Sequence, residues 1–138
     1  AVIFSVGYLA GTTELLPSPA PAEAAARAER VFEMRTYTAP DGKLDALNAR
    51  FREHTLGYFE KHGMTNVGYW MPIEGPEAQN TIVYLLAHDS REAARESWAA
   101  FGADEGWREI SRTTQLDGPI VSRVESVFLT PTDYSPIK

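Results

Sequence analysis

The segment TIVYLLA, near the middle of the chain, restricts the possible folds more than any other stretch of the sequence. Its β-branched and aromatic residues favour a strand, and successive side chains of a strand point to opposite faces of the sheet. Ile82, Tyr84 and Leu86 then lie on one face, whereas Val83 and Leu85 lie on the other. An antiparallel sheet with helices on one side normally has a polar second face. We therefore expect this strand to be covered on both faces, by helices on one side and by a second sheet on the other.

The segments around this strand alternate between β-prone and helix-prone patterns, and turn and capping residues separate them. Strands are predicted at 31–38, 65–71, 81–87 and 119–129, and helices at 43–62, 89–102 and 104–114. The order β-α-β-β-α-β, with one further short helix, is that of the split βαβ or ferredoxin-like motif. The sequence therefore predicts an α+β fold in which one four-stranded antiparallel sheet has helices on one face.

The first and last strands are neighbours in the ferredoxin-like arrangement. Glu33 and Arg35 on the first strand could then pair with Arg123 and Glu125 on the last strand. The second sheet that covers the free face comes most simply from another copy of the chain. The pattern thus predicts a homodimer or an equivalent heterologous sheet-to-sheet partner.

The first predicted helix has large, mostly apolar side chains at helical spacing, with one histidine among them. The residues of this face are Leu44, Leu47, Phe51, His54, Tyr58 and Phe59. Gly63 is expected to end the helix, with His62 favourably placed at the negative helix end. The second helix is expected to begin with a cap from Asp89 or Ser90 and to end at Gly102.

Composition excludes several classes of function. The formal net charge of −6 disfavours binding to nucleic acid. The absence of cysteine excludes disulfides, thiolate nucleophiles and cysteine-based zinc sites. His54, His62 and His88 lack the i, i+4 spacing of a helical metal-binding pair, and there is no glycine-rich phosphate loop or nucleophile elbow. The sequence therefore predicts no metal site, no cofactor and no catalytic residue.

The chain opens with an apolar tract of about 16 residues that is interrupted by Gly7, Gly11 and Glu14. Its larger apolar residues are Val2, Ile3, Phe4, Val6, Tyr8, Leu9, Leu15 and Leu16. As a helix, this tract is about 24 Å long, against about 30 Å for the core of a bilayer, so a full span needs further apolar residues. The first basic residue is Arg27. Because basic residues favour the cytoplasmic side, we expect the rest of the chain on the non-cytoplasmic side, which is periplasmic in a bacterium.

Four interpretations of the apolar tract remain open. It could be an uncleaved membrane anchor, a signal peptide that ends near the small-residue pattern at 20–22, an apolar arm packed on a partner protein, or a free tail. The first three bury apolar side chains against lipid or protein. We therefore expect residues 1–16 to attach the chain to a membrane or to a membrane protein complex.

Three blocks follow one another along the chain: VFEMRTYTAPDGKLDALNARF, EKHGMTNVGYW and NTIVYLLAHDSREAARESWAAFGADEGW. In this order they resemble the NIPSNAP family, and the resemblance covers about residues 31–130. The motif positions that match are Arg35, Tyr37, Gly42, His62, Gly63, Gly68, Trp70 and Trp107. The resemblance implies a dimeric α+β barrel of ferredoxin-like topology, which agrees with the two-faced third strand. It also implies an adaptor or interaction protein, and it supplies no catalytic residues.

The chain is accordingly divided into an apolar segment with a Pro/Ala-rich linker at 1–30, a NIPSNAP-like domain at 31–130 and a tail at 131–138. The first functional hypothesis is a non-enzymatic subunit on the non-cytoplasmic face that stabilises or bridges the subunits of a membrane complex. A respiratory or photosynthetic assembly is one suitable host.

The alternative hypothesis is a small-molecule-binding protein or a monooxygenase-like enzyme with a pocket between sheet and helices. It follows from the resemblance of some other dimeric α+β barrels to monooxygenases. The candidate pocket residues are His54, Tyr69, Tyr84 and Arg35. Purely structural roles compete with this hypothesis: a core histidine, aromatic packing, and an ion pair between Arg35 and Glu33.

Overall fold

An antiparallel sheet flanked by helices forms most of the computed structural model, which describes residues 20–22 and 30–138. The strands are β1 (Val31–Thr38), β2 (Thr65–Trp70), β3 (Thr81–His88) and β4 (Arg123–Leu129). The helices are α1 (Leu44–Arg50), α2 (Leu56–Lys61), α3 (Arg91–Ala103) and α4 (Glu105–Thr113), with a π-helical turn at Phe51–Thr55 between the first two and a 3₁₀ turn at Pro76–Gln79. The strand order β2–β3–β1–β4 confirms the ferredoxin-like α+β fold.

The central strand β1 pairs with β3 on one side and with β4 on the other. This confirms the prediction that the first and last strands lie next to each other in the sheet. The predicted ion pairs across these two strands are wrong. The register places Glu33 opposite Phe128 and Arg35 opposite Ser126. Glu125 lies opposite Thr36 instead, and its side chain is therefore on the other face of the sheet.

Each of these charged residues pairs within its own strand. Arg35 Nη1 lies 2.6 Å from Glu33 Oε1 on β1, and Arg123 Nη2 lies 2.7 Å from Glu125 Oε1 on β4. The side chains at i and i+2 of a strand share a face, which permits both pairs. In the first pair Glu33 is buried and Arg35 is partly buried, whereas both members of the second pair are exposed.

The π-helical turn between α1 and α2 changes which side chains face the sheet. The extra residue in this turn shifts the following positions, so that Leu47, Phe51, Thr55 and Phe59 are buried. An uninterrupted α-helix would have placed His54 on this face. The prediction that His54 belongs to the core face is therefore wrong, and Thr55 occupies that position.

The ends of the helices follow local capping chemistry. Gly63 has a φ of +79°, which confirms it as the residue that ends the first helical segment. The Ser90 side chain accepts a hydrogen bond from the Ala93 N–H at 3.0 Å and caps α3. The prediction that Gly102 ends this helix is wrong, because α3 continues to Ala103.

Aromatic rings fill the space between the helices and the sheet. The Tyr84 ring on β3 is fully buried and lies 5.1–5.9 Å, centroid to centroid, from four other rings. These rings belong to Tyr37, Phe51, Phe59 and Tyr69. The contacts with Tyr37 and Phe51 are edge-to-face, an arrangement that the ring quadrupoles favour. The core is therefore tightly packed at the place where a pocket was predicted.

The opposite face of the sheet, which we call the open sheet face, carries apolar side chains on all four strands. They are Phe32 and Met34 on β1, Trp70 on β2, Val83 and Leu85 on β3, and Val127 and Leu129 on β4. Pro131 and Ile137 line a hollow together with Phe32 at one end of this face. Phe32 is buried, whereas Met34 and Trp70 are exposed.

No helix within residues 20–22 and 30–138 is both long enough and apolar enough to cross a membrane. The apolar tract at 1–16, to which the sequence assigns membrane or partner attachment, lies outside the described residues.

Candidate functional site

The interior polar cluster, formed by Glu33, Arg35, Arg50, Tyr84 and His88, lies between the sheet and the helices. Four of its members are on the helix-facing sides of β1 and β3, and Arg50 is at the end of α1. The alternation of β1 directs Glu33 and Arg35 inward together. Glu33, Arg50, Tyr84 and His88 are all buried, so charged and polar groups are concentrated where apolar side chains normally predominate.

The Glu33 carboxylate is the most heavily bonded group of the cluster. It accepts hydrogen bonds from Arg35 (2.6 Å), Ser126 (2.7 Å), Trp98 Nε1 (2.7 Å) and His88 Nε2 (2.9 Å). Burial alone would raise the pKa of Glu33, but the hydrogen bonds outweigh this effect and lower the pKa from 4.5 to about 2. Glu33 is therefore a stable anion at neutral pH, and it joins β1, β3, α3 and β4.

The Arg35 guanidinium lies between this carboxylate and aromatic rings. Its Cζ is 4.2 Å from the centre of the Trp98 ring and 5.6 Å from the centre of the Tyr37 ring. Burial alone would lower the pKa of Arg35, but the nearby phenols of Tyr37 and Tyr84, together with Glu33, raise it. Arg35 is thus a permanent cation with one carboxylate partner, and its Nε has no hydrogen-bond partner among the described residues.

The second cation of the cluster, Arg50, has no such partner in the described part of the chain. Only 6% of this residue is exposed, and its Cζ lies 5.4 Å from the centre of the Trp107 ring. Among residues 20–22 and 30–138, no hydrogen bond or ion pair joins its guanidinium to another residue, and its Nε is fully enclosed. Burial lowers the pKa of Arg50, while the phenols of Tyr37 and Tyr84 oppose this effect. An arginine nevertheless remains protonated at neutral pH.

Two of the predicted pocket residues are stacked tyrosines. The Tyr69 and Tyr84 rings lie 5.1 Å apart with an angle of 16° between their planes. Burial raises the pKa of both phenols, so both are uncharged at neutral pH. Tyr69 donates its O–H to Asn66 Oδ1 at 2.5 Å, whereas the buried Tyr84 hydroxyl has no partner of ordinary hydrogen-bond geometry in the described residues.

The structure brings Arg35, Tyr69 and Tyr84 together but not His54. About a third of the His54 side chain is exposed, and its Nε2 lies 3.9 Å from Glu53 Oε2 on the outer side of the π-helical turn. His54 borders a shallow hollow with Tyr58 rather than the space next to the sheet. Its predicted place in the pocket is therefore wrong.

An aromatic cleft of about 270 Å³ lies on the outer side of the Tyr69 ring. It is lined by Asn48, Phe51, Arg52, Leu56, Tyr69, Trp70, Met71 and Ile82. The walls are mainly apolar, and Asn48 and Arg52 supply the polar groups. The free space of this region is thus displaced from the predicted pocket, because the rings around Tyr84 fill the interior.

Within residues 20–22 and 30–138, there is no group of three or more histidine, aspartate or glutamate side chains that could hold a metal ion. His62 and His88 each have a carboxylate partner of their own. His62 Nε2 lies 2.8 Å from Asp104 Oδ2, and His88 Nε2 lies 2.9 Å from Glu33 Oε2.

Comparison with known proteins identifies the family. The family model described as NIPSNAP matches residues 32–136, which is about three quarters of the chain. The chain belongs to the NIPSNAP family. The resemblance seen in the sequence is thereby confirmed. No curated protein is detectably similar to this chain.

Several solved structures share the NIPSNAP fold of this chain. A NIPSNAP family protein of unknown function from Agrobacterium tumefaciens has a TM-score of 0.70 and 24% identity over 80% of this chain and 96% of its own. A NIPSNAP-like domain protein from Burkholderia xenovorans has a TM-score of 0.69 and 21% identity over 79% and 90%. A point mutant of SnoaB, a cofactor-independent oxygenase from Streptomyces nogalater, has a TM-score of 0.51 and 16% identity over 79% and 99%. These similarities show the fold, which is the dimeric α+β barrel type.

Several NIPSNAP motif positions have structural roles that their contacts make explicit. His62 bonds to Asp104, and Asp104 also caps α4 by accepting a hydrogen bond from the Trp107 N–H at 3.2 Å. These contacts fix α4 against α2. Gly68 leaves room for the Trp70 ring, since a Cβ at position 68 would lie only 2.4 Å from that ring.

The sequence analysis did not single out Arg50, and it considered His88 only as a possible metal ligand, a role that it rejected. A signal for Arg50 existed, because it lies three residues after Leu47 and next to Phe51, on the buried side of a helix. A cation at such a position is normally interpreted as exposed. His88 offered no local signal, since its partner Glu33 lies 55 residues away in the sequence.

Proposed function

We propose that this NIPSNAP protein is a non-enzymatic interaction protein that pairs with a second copy of itself through the open sheet face. The observation that supports this proposal best is the set of apolar side chains on all four strands of that face. Met34 lies near its centre, between Leu85 on β3 and Val127 on β4. Met34 and Val127 are both exposed in the single chain. Exposed contiguous apolar patches on soluble domains usually mark interaction sites.

A second copy is the occupant that the chemistry favours. The open sheet face carries both signs of charge on β4, where Arg123 and Glu125 form an exposed pair. A two-fold pairing brings the same patch of two copies together, and two sheets can pack face to face at about 10 Å with their side chains interdigitated. Such a pairing would cover β3 on both faces, as its sequence requires.

The packed interior supports a non-enzymatic role. Tyr84 is fully enclosed by rings, and the carboxylate of Glu33 is saturated by four donors. A general acid or base must reach its substrate within hydrogen-bonding distance. The buried Glu33 carboxylate is used instead to join secondary-structure elements.

Substitution of Met34 tests the pairing. We expect Met34→Lys to raise the dissociation constant for self-association by at least about 100-fold, because the change removes a buried methionine from both copies and places two like charges close together. Sedimentation equilibrium of the wild-type and variant proteins over a range of concentrations measures this constant. Leu116→Lys is the matched control, since Leu116 is 72% exposed and lies outside the sheet.

Two results would contradict the pairing. The wild-type protein could remain a monomer at every concentration, or Leu116→Lys could weaken association as much as Met34→Lys. In either case the open sheet face loses its assigned role.

The aromatic cleft next to Tyr69 would then be the better site, and small-molecule binding the better function. SnoaB, which shares the fold, is a cofactor-independent oxygenase, and a monooxygenase-like activity belongs to this second candidate.

The proposal also includes attachment of the domain to a membrane or a membrane protein complex, on the non-cytoplasmic side. Its support is the apolar tract at 1–16 and the absence of basic residues before Arg27. In this arrangement the paired domains would stabilise or bridge subunits of the complex, for which a respiratory or photosynthetic assembly is one suitable host.

Deletion of residues 1–30 tests the attachment. We expect the full chain to sediment with membranes and the truncated chain to remain in the supernatant, because the truncation removes the apolar tract but none of the sheet. Immunoblotting of the two fractions measures the distribution, and Met34→Lys in the full chain is the control that should still sediment. A truncated chain that stays with membranes would contradict the attachment.

A further inference from the structure

The aromatic cleft lies between two parts of the chain. One side comes from α1, the π-helical turn and the start of α2, and the other comes from the end of β2, the residue that follows it and β3. Phe51 and Arg52 both belong to the π-helical turn, and such turns frequently occur at functional sites. The volume of the cleft, about 270 Å³, is close to the lower end of the range that small-molecule sites have.

The wall of the cleft around Tyr69 is held in place by contacts of its own. The Tyr69 ring stacks on Tyr84, and its hydroxyl donates to Asn66. The Asn66 amide donates in turn to the Leu56 carbonyl at 3.1 Å, which ties β2 to α2. The Phe51 ring meets the Tyr69 ring edge to face, with 5.6 Å between their centres. The cleft is therefore preformed, which lowers the entropic cost of binding a ligand.

Apolar surface remains uncovered in the cleft. Trp70 and Met71 line it, and yet they are 56% and 51% exposed. Asn48 Nδ2 lies 3.3 Å from Met71 Sδ, and a thioether is only a weak hydrogen-bond acceptor. A flat aromatic ligand would cover this surface and could stack on the Trp70 ring, while an oxygen acceptor on that ligand would replace the weak contact of Asn48.

The charge in the cleft is positive. Among the described residues that line it, Arg52 is the only charged one. Its side chain is exposed, and within residues 20–22 and 30–138 its guanidinium forms no hydrogen bond or ion pair. Asn48 precedes Arg52 by four positions, and side chains at this spacing are neighbours on one face of a helix. A guanidinium and an amide, both of them donors, are thus placed next to each other at the helix side of the cleft.

We propose that the aromatic cleft binds a flat aromatic monocarboxylate. The ring system of the ligand would lie against Tyr69 and Trp70, and its carboxylate would accept hydrogen bonds from Arg52 and Asn48. Binding in the cleft goes beyond the pairing of two copies and does not depend on it, because one chain supplies every residue of the site. Trp70 is the residue that the cleft shares with the open sheet face.

Naphthoate, a two-ring aromatic acid, is the probe, and naphthamide, which has nearly the same shape but no charge, is its control. Isothermal titration calorimetry of the full chain measures the dissociation constant of each compound. We expect one naphthoate per chain, bound about tenfold more tightly than naphthamide, because hydrogen bonds between charged groups are the stronger ones. A wild-type protein that binds neither compound, or binds both equally well, would overturn the proposal.

Arg52→Gln and Arg112→Gln form a matched pair of variants that tests the role of the charge. Both remove one exposed cation, but Arg112 lies on α4, outside the cleft. We expect Arg52→Gln to raise the dissociation constant for naphthoate about tenfold and to leave that for naphthamide nearly unchanged. Arg112→Gln should change neither constant. Equal effects of the two substitutions on naphthoate binding would contradict the assignment of Arg52.

Met71→Ser and Ile73→Ser test where the rings of the ligand bind. Both remove an exposed apolar side chain after β2, but Ile73, which is 97% exposed, does not line the cleft. We expect Met71→Ser to raise the dissociation constants of both compounds about fivefold through lost apolar contact, and Ile73→Ser to raise neither. Equal effects of these two substitutions would place the ligand elsewhere and overturn the proposal.

The same titration of Met34→Lys separates this inference from the pairing of two copies. We expect this variant to bind naphthoate as tightly as the wild-type protein, because Met34 does not line the cleft. A monomeric wild-type protein that binds naphthoate would therefore contradict the pairing alone. Loss of naphthoate binding in Met34→Lys would show that the site needs a second copy, and it would overturn the inference that one chain is sufficient.

Discussion

Replacement of Glu33 by alanine is expected to lower the free energy of unfolding by about 3–5 kcal/mol, because one partner of a buried ion pair is removed while the other remains. Arg35 would keep its charge without a carboxylate, and Trp98 Nε1–H and the Ser126 hydroxyl would lose their acceptor. Buried donors without acceptors add their own desolvation penalty. Urea unfolding followed by tryptophan fluorescence measures the change.

Glu109→Ala is the control for this prediction. Glu109 also pairs with an arginine, Arg112 at 2.6 Å, but this pair is exposed on α4 and we expect little change in stability. Glu33→Gln keeps the shape of the side chain and tests the charge alone. It should also destabilise the protein, since an amide NH₂ would face donors that need an acceptor. If Glu33→Ala lowered the free energy of unfolding no more than Glu109→Ala, the role of Glu33 in joining the secondary-structure elements would be contradicted.

The fold could be predicted because it depends on short-range patterns. The alternation of β1 separates Glu33 and Arg35 from Phe32 and Met34, and the two-faced pattern of β3 gives it a central place in the sheet. Such periodicities need only neighbouring residues in the sequence. They therefore also located the apolar side chains of the open sheet face.

The site was less predictable because it depends on contacts that local patterns do not encode. Trp98 and Ser126 lie 65 and 93 residues from Glu33 in the sequence, yet both donate to its carboxylate. A single extra residue in the π-helical turn moved His54 out of the core and Thr55 into it. The register of β4 likewise determines that Ser126, rather than a charged residue, lies opposite Arg35.

The contribution of the Glu33 charge to the free energy of unfolding is expected to disappear at low pH. This pH dependence follows from the lowered pKa of Glu33. In the folded protein this pKa is about 2, against 4.5 for the ordinary group. As the pH falls, the unfolded state therefore binds the proton first, so that stability is lost as the pH decreases from about 4.5 to about 2. The shift corresponds to about 3 kcal/mol, which is fully present above pH 4.5.

Comparison of the wild-type protein with Glu33→Ala isolates this contribution. Other carboxylates also have lowered pKa values: Lys61 and His62 lower the pKa of Asp104, and Arg112 lowers that of Glu109. The loss of stability of the wild-type protein at low pH is therefore a sum over several groups. We expect the difference in unfolding free energy between the two proteins to shrink steadily as the pH falls through the interval between 4.5 and 2. Urea unfolding at a series of pH values measures this difference, and Glu109→Ala provides the reference for an exposed carboxylate. A difference that stays constant down to pH 2 would show that Glu33 stabilises the fold by its shape and packing rather than by its charge.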